Sequence, residues 1–207
     1  MKEALVIFAK NTEAGKVKTR LAATIGEEAA LAVYYQLLSY TASITNDLSV
    51  DKFVFYSGYI EKLDAWDNNH YFKQIQQGND LGERMQQAFE TIFEKGYREI
   101  VIIGTDCHEL QANIISKAFT SLDSHDVVIG PAADGGYYLL GMKQPYLTLF
   151  ENISWSTNTV FYETILKCKT SQLDYCLLPI LRDIDREEDL QYFKTEKNVQ
   201  HYHTDLQ

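Results

Sequence analysis

Three stretches of this sequence carry side chains suited to holding phosphates and activating hydroxyls. In the first, Lys10, Lys16, Lys18 and Arg20 crowd into eleven residues whose only acid is Glu13. Arginine presents a planar fork that matches phosphate oxygens bidentately and lysine a point charge, so Lys18 and Arg20, separated by Thr19, can grip two successive phosphates. The segment has Gly15 but lacks the glycine and Gly-Lys-Ser/Thr spacing of a P-loop, so side chains must supply the positive charge. A solvated basic loop is the competing reading.

The second stretch is Arg98 to Leu110, REIVIIGTDCHEL. Its β-branched run Ile100-Val101-Ile102-Ile103 reads as a strand buried on both faces of a mainly parallel sheet. Asp106 falls just past the strand end, where ligands gather in open α/β sheets, so its carboxylate suits a cation or a hydroxyl; capping a following turn is the alternative. A diphosphate gripped by cations still calls for a metal, and magnesium takes one or two protein carboxylates with phosphate and water completing its shell. Asp106 fits the first place, and Asp183 and Asp185 are the candidates for the second, with helix capping the rival role for Asp183.

In the third stretch, Asp134-Gly135-Gly136-Tyr137, the paired glycines allow close approach of backbone to ligand, and Asp134 can accept a hydroxyl proton as a general base. A plain hairpin turn would use the same residues. Trp155 lies among polar residues, where an indole face can stack on a sugar or base, or serve as a lid packed on the core. Cys107, His108 and the pair His201 and His203 form no set with metal-ligand spacing, and they are read as structural.

These groups need a scaffold, and the apolar periodicity supplies one. Glu3–Ala9 is a first strand, followed by a polar loop from Lys10 to Gly26 and a helix over Glu27–Asn46, where Ala30, Val33, Leu37, Tyr40 and Ile44 recur at helical spacing. Strands follow at Lys52–Gly58 and Tyr71–Gln77. Asp80 and Glu83 make a near capping box for a helix that ends at Gly96. After the central strand come a helix over Ala112–Leu122, a strand over Asp126–Gly130, a turn, and a strand over Tyr137–Met142. A helix running to about Lys169, a strand at Cys176–Pro179, a short helix after Arg182 and a polar tail from Lys197 complete the chain. Strands alternating with helices predict a three-layer α/β/α sandwich with a mostly parallel mixed sheet. The basic loop, Asp106 and the Asp-Gly-Gly turn should then share one sheet edge.

The 207 residues fit one domain, 1–207. A net charge of −10 argues against nucleic-acid partners, and no apolar run is long enough for membrane insertion. Three scattered cysteines point to a reducing, cytoplasmic setting.

Taken in order, Ala9-Lys10, Gly15, Lys18-Thr19-Arg20-Leu21, Gly78 with Leu81-Gly82-Glu83-Arg84-Met85, Gly104-Thr105-Asp106-Cys107, Gly130-Pro131-Ala132, Asp134-Gly135-Gly136-Tyr137-Tyr138, Trp155-Ser156-Thr157, Asp183-Ile184-Asp185 and Glu188-Asp189-Leu190 cover nearly the whole chain. This pattern resembles the bacterial radical-SAM/selenodomain-associated, or arsenosugar-biosynthesis, glycosyltransferases. It is similar in layout to 2-phospholactate guanylyltransferase and the molybdenum-cofactor nucleotidylyltransferases. Thr12 and Ala14 stand where the family has proline, and Arg186-Glu187 stands where it has Thr-Pro.

The resemblance implies a GT-A-type nucleotide-diphospho-sugar transferase fold and a glycosyltransferase, with a nucleotidylyltransferase as the alternative. It implies Mg2+ or Mn2+ on Asp106, with Asp185 as second ligand because it is the later Asp of its motif. Lys10, Gly15, Lys18, Thr19, Arg20, Leu81 and Gly82 would lie near the nucleotide, and Gly135, Gly136, Tyr137 and Trp155 near the sugar or acceptor. Asp106 and Asp134 would be the catalytic residues. The expected partners are a nucleotide sugar or nucleoside triphosphate, a small acceptor and, as one option, a second copy of the chain in a homodimer.

Overall fold

The run Ile100–Ile103 lies in the middle of the sheet, in a strand (β4, Glu99–Ile103) whose five residues are all buried. The computed structural model describes residues 2–193. The tail from Lys197, with His201 and His203, lies outside the described residues. Alongside β4 run β1 (Glu3–Ala9), β2 (Asp51–Tyr56), β3 (Tyr71–Ile75), β5 (Val127–Pro131), β6 (Tyr137–Met142) and β7 (Tyr175–Leu177). They form one seven-stranded sheet in the order β3-β2-β1-β4-β6-β5-β7. β6 is antiparallel to β4 and β5, and the other neighbours pair in parallel. The architecture is the expected α/β sandwich on a mostly parallel mixed sheet.

Alternate strand residues feed two separate cores, and this is why helices cover both faces. Leu5, Ile7, Val101 and Ile103 point to one face, where Tyr34 and Leu38 of α2 (Glu27–Asn46) and Ile115, Ala118 and Phe119 of α4 (Ala112–Leu122) pack on them. Ala4, Val6, Ile100 and Ile102 point to the other, against Met85, Phe89 and Ile92 of α3 (Leu81–Glu94) and Ile165 and Cys168 of α5 (Val160–Thr170). At the start of α3, the Asp80 carboxylate accepts the Glu83 N–H at 2.9 Å, and Glu83 accepts the Asn79 N–H at 2.8 Å. Such a cap is worth about 1 kcal/mol to the helix.

One element differs from the sequence expectation. The second half of the basic segment is a helix, α1 (Thr19–Ile25), in place of loop. It has a single buried residue, Leu21, and seven residues with one apolar anchor leave no periodic trace; its stability comes from packing on α2. After Arg186 the expected short helix forms, as a 3₁₀ helix over Glu187–Tyr192 in place of an α-helical turn. Among the described residues no helix is long and apolar enough to cross a membrane.

Candidate active site

β1 and β4 end side by side, with Ile7 opposite Ile103, and the antiparallel β6 begins at the same edge, with Leu139 opposite Ile103. The loops leaving these ends enclose a cleft of about 1150 Å³. Lys10, Lys18, Thr19 and Arg20 line it from the β1 side, and Leu81 from the tip of α3. Asp106, Asp134, Gly136, Tyr137, Trp155 and Asp185 complete the set of expected residues on its walls. Gly15, Gly82 and Gly135 do not reach its lining.

The closest polar contacts centre on Lys18. Its backbone adopts φ 49°, a left-handed conformation unusual for a lysine, just before α1 begins. The side chain turns inward and is 5% exposed, whereas Lys16, Thr19 and Arg20 around it are exposed. Its Nζ lies 2.7 Å from Asp106 Oδ1 and donates to the Ile184 carbonyl at 2.6 Å.

Segment 178–185 reaches this point by threading along the end of β5. Ala133 N–H donates to Leu181 O at 2.9 Å, and Ile184 N–H donates to Asp106 O at 2.8 Å. Asp183 thereby comes to line the cleft, half-buried. Burial, followed by the charges of Asp106 and Asp134, pushes its carboxyl up to about 7.

Asp185, the expected second metal ligand, meets a different partner: its Oδ2 accepts from Arg20 Nη1 at 2.8 Å. The Asp185 and Arg186 N–H groups are both held by the Asp189 carboxylate, at 3.0 and 2.8 Å. Lys16 pairs with Glu13 at 2.5 Å on the surface, away from the cleft.

At the opposite wall Asp134 is exposed, and its Oδ1 accepts the Gly136 N–H at 2.9 Å. Oδ2 takes no hydrogen bond among the described residues. Gly135, at φ 93°, is needed because any Cβ there would meet the Asn158 carbonyl at 2.1 Å. Tyr137 lines the cleft, but its hydroxyl faces the interior, 4.0 Å from Met85 Sδ and close to Thr164, and burial raises its pKa. The Trp155 indole lies against the first turn of α3, so that a Cβ on Gly82 would meet its Nε1 at 2.1 Å. Trp155 also stacks on Phe150 with centroids 6.3 Å apart. Gly82 therefore has a packing reason, and Trp155 is a wall of the cleft braced on the core.

Sequence reasoning missed two residues here. Tyr34 of α2 has its hydroxyl between Lys10 and Thr105: it accepts the Lys10 N–H at 2.8 Å, donates to Lys10 O at 3.1 Å and lies 3.4 Å from Thr105 Oγ1. Burial and the nearby Asp106 charge raise its pKa. In the sequence it is one more aromatic on a helix, and only its place beside Thr105 distinguishes it. Arg84, in the first turn of α3, donates from Nε to Gly78 O at 3.1 Å and lines the cleft without a carboxylate partner among the described residues. Its position in the quoted Leu81–Met85 motif was the available signal.

Among the described residues no three His, Cys, Asp or Glu side chains form a metal-holding group. Asp106 and Asp183, which both line the cleft, are hard oxygen donors of the kind magnesium and manganese accept when substrate phosphates and water supply the remaining ligands.

The fold is the α/β fold of the nucleotide-diphospho-sugar transferases. The chain belongs to the family described as "Uncharacterized protein conserved in bacteria (DUF2064)", whose model matches residues 40–157. It is 32% identical to a protein from Desulfovibrio desulfuricans G20 described as a candidate nucleotide-diphospho-sugar transferase, with a TM-score of 0.85 over 96% of this chain and 90% of that one. The inositol-1-phosphate CTP transferase of T. maritima shares the fold at 15% identity, with a TM-score of 0.54 over 92% and 91% of the two chains. So does Rv0371C of Mycobacterium tuberculosis H37Rv, in complex with manganese, at 10% identity and a TM-score of 0.58 over 93% and 97%. No curated protein matches the sequence.

Proposed function

We propose that this protein is a divalent-metal-dependent glycosyltransferase that moves a sugar from a nucleoside diphosphate to a small acceptor, working as one domain in the cytoplasm. The reading rests above all on one observation: Lys18 pairs with Asp106 at 2.7 Å just past the end of β4, in a cleft of about 1150 Å³ that Asp183 also lines. A single small ligand fills roughly 300–1000 Å³, so the cleft has room for a nucleotide and a second molecule. The Desulfovibrio protein supports the sugar-transfer reading, and the motif order across the chain supports an affinity with the radical-SAM/selenodomain-associated members.

In this scheme Lys18 and Arg20 bind the diphosphate, and Tyr34 fixes the loop that presents them. Asp106 and Asp183 would hold Mg2+ or Mn2+, which neutralises charge developing on the leaving diphosphate. Asp134, with Oδ2 available, takes the proton of the acceptor hydroxyl as it attacks the sugar carbon. Trp155 and the wall around it exclude water and orient the sugar.

The fold shared with a CTP transferase supports a second reading, in which a phosphate of the acceptor attacks the α-phosphorus of a nucleoside triphosphate and pyrophosphate leaves. One assay separates them. Nucleotide sugars or nucleoside triphosphates are incubated with Mg2+ or Mn2+ and a panel of acceptors; nucleoside diphosphate release supports sugar transfer, and pyrophosphate release supports nucleotidyl transfer. Absence of binding to every nucleotide in a thermal-shift screen would overturn both.

A further inference from the structure

We propose that Lys18 acts as the resident cation of Asp106 and changes places with a divalent metal, so that metal binding hands the Lys18 ammonium to the nucleotide phosphates. This rests on the metal reading of Asp106 given above.

Burying an ammonium is costly unless it is paired, and Lys18 is 5% exposed. Its pairing is specific. Asp106 Oδ1 at 2.7 Å supplies the opposite charge and the Ile184 carbonyl at 2.6 Å a second acceptor. The bond from Ile184 N–H to Asp106 O, 2.8 Å, holds these two acceptors side by side. The left-handed backbone at Lys18, φ 49° and ψ 42°, is what turns this side chain inward while Lys16, Thr19 and Arg20 face solvent.

Magnesium sits about 2.0–2.1 Å from its oxygens, so a metal on the Asp106 carboxylate would stand within a few ångströms of the ammonium that lies 2.7 Å from Oδ1, and two cations that close repel and compete for the same carboxylate. Lysine has a flexible four-carbon stem, so the displaced ammonium can swing into the cleft that Thr19 and Arg20 also line. A metal arriving without phosphate must evict Lys18 and leave it unpaired, whereas a metal arriving with phosphate gives Lys18 a new partner. Metal and phosphate should therefore each strengthen the other's binding, and by reciprocity the same factor applies both ways.

The test uses the full chain, Mn2+ and inorganic pyrophosphate, with Asp106→Asn titrated in parallel so that only binding that depends on Asp106 is counted. In the wild type, pyrophosphate should tighten Mn2+ binding by about 5-fold or more. Lys18→Gln should bind Mn2+ alone more tightly than wild type and lose most of the pyrophosphate enhancement, while Lys18→Arg, which keeps the charge, should retain part of it. A folded Lys18→Gln that binds Mn2+ no better than wild type would overturn the proposal. Should Lys18→Gln not fold, amidination of wild-type lysines read by mass spectrometry decides: Lys18 should be protected without Mn2+ and reactive with it, and protection in both states would overturn the exchange. Mn2+ binding that survives Asp106→Asn unchanged overturns the metal site itself. Nucleotide binding, measured separately, decides the proposed function.

Discussion

Arg20 Nη1 and Asp185 Oδ2 lie 2.8 Å apart, joining the first turn of α1 to the segment that follows β7. Both residues are exposed enough for the pair itself to add only about 0–1 kcal/mol to stability. Its consequence is geometric, because the guanidinium expected to meet phosphate is held at the mouth of the cleft by a carboxylate that a phosphate can replace. Arg20→Ala should weaken nucleotide binding by about 1.5–3 kcal/mol, the scale of a charge-assisted hydrogen bond. Lys16→Ala should change little, since Lys16 pairs with Glu13 on the surface. Calorimetric titration of both variants checks the difference, and equal small effects would return the segment to a solvated basic surface.

The carboxylates of the cleft should divide by depth. Asp183, half-buried and in the field of Asp106 and Asp134, is the stronger candidate for second metal ligand than Asp185, which Arg20 engages. Asp106→Asn should remove the Mg2+ dependence of nucleotide binding, Asp183→Asn should reduce it, and Asp185→Asn should leave most of it. Nucleotide affinities with and without Mg2+ test this order, and a larger effect at Asp185 than at Asp183 would reverse the assignment.

Asp134→Asn should lower turnover by about 10²–10⁴-fold while nucleotide affinity holds. The asparagine carbonyl can still accept the Gly136 N–H that Asp134 Oδ1 accepts at 2.9 Å, so the turn should survive. Steady-state kinetics with a nucleotide titration distinguish this outcome from an unfolded turn, and normal turnover would remove Asp134 from the chemistry.

Gly82→Ala should destabilise the protein by about 1–3 kcal/mol, the range for overpacking, since the new methyl would meet the Trp155 indole at 2.1 Å. Urea unfolding measures it. Adding Trp155→Phe should recover part of the loss, and strictly additive effects would show that the indole is not what Gly82 makes room for.

A pH dependence of stability should come from Asp126 at the start of β5. Its carboxylate accepts the Asp174 N–H at 2.9 Å and the Tyr146 hydroxyl at 3.0 Å, and Lys143 lies 3.1 Å away. The bond from the Asp174 amide, with Lys143 and Tyr146, holds the pKa below the ordinary 3.8, against the opposing effect of burial. A depressed carboxylate contributes stability above its unfolded pKa and loses it as pH falls through the folded one. Asp126→Asn should thus cost about 1–3 kcal/mol at pH 7 and progressively less below pH ~4. Chemical denaturation of both proteins across this range checks it, and a cost that does not vary with pH would point to packing.

Local sequence determined a good deal of this protein. The apolar run of β1 marked a strand and the β-branched run of β4 a strand buried on both faces, and a carboxylate directly after β4 was placed at the sheet edge. Asp80 and Glu83 likewise announced the start of α3, because a cap is made by residues close together in the chain. The basic segment, Asp106 and the Asp-Gly-Gly turn were expected on one edge, and all three line the cleft.

Tertiary structure alone decided which of these groups touch. Lys18, not Lys16, turns inward because of one left-handed backbone position, and outside helices and strands no periodicity tells a side chain which way to face. Asp183 feels the charges of Asp106 and Asp134 while Asp185 pairs with Arg20, and the Ile184 N–H between them is pinned to Asp106 O by chain distant in sequence. Tyr34 reaches Lys10 and Thr105 because α2 packs across the ends of β1 and β4. Each of these contacts joins loops fixed by separate strands, and their relative positions are set by how the strands pair in the sheet, an arrangement that no local stretch of sequence encodes.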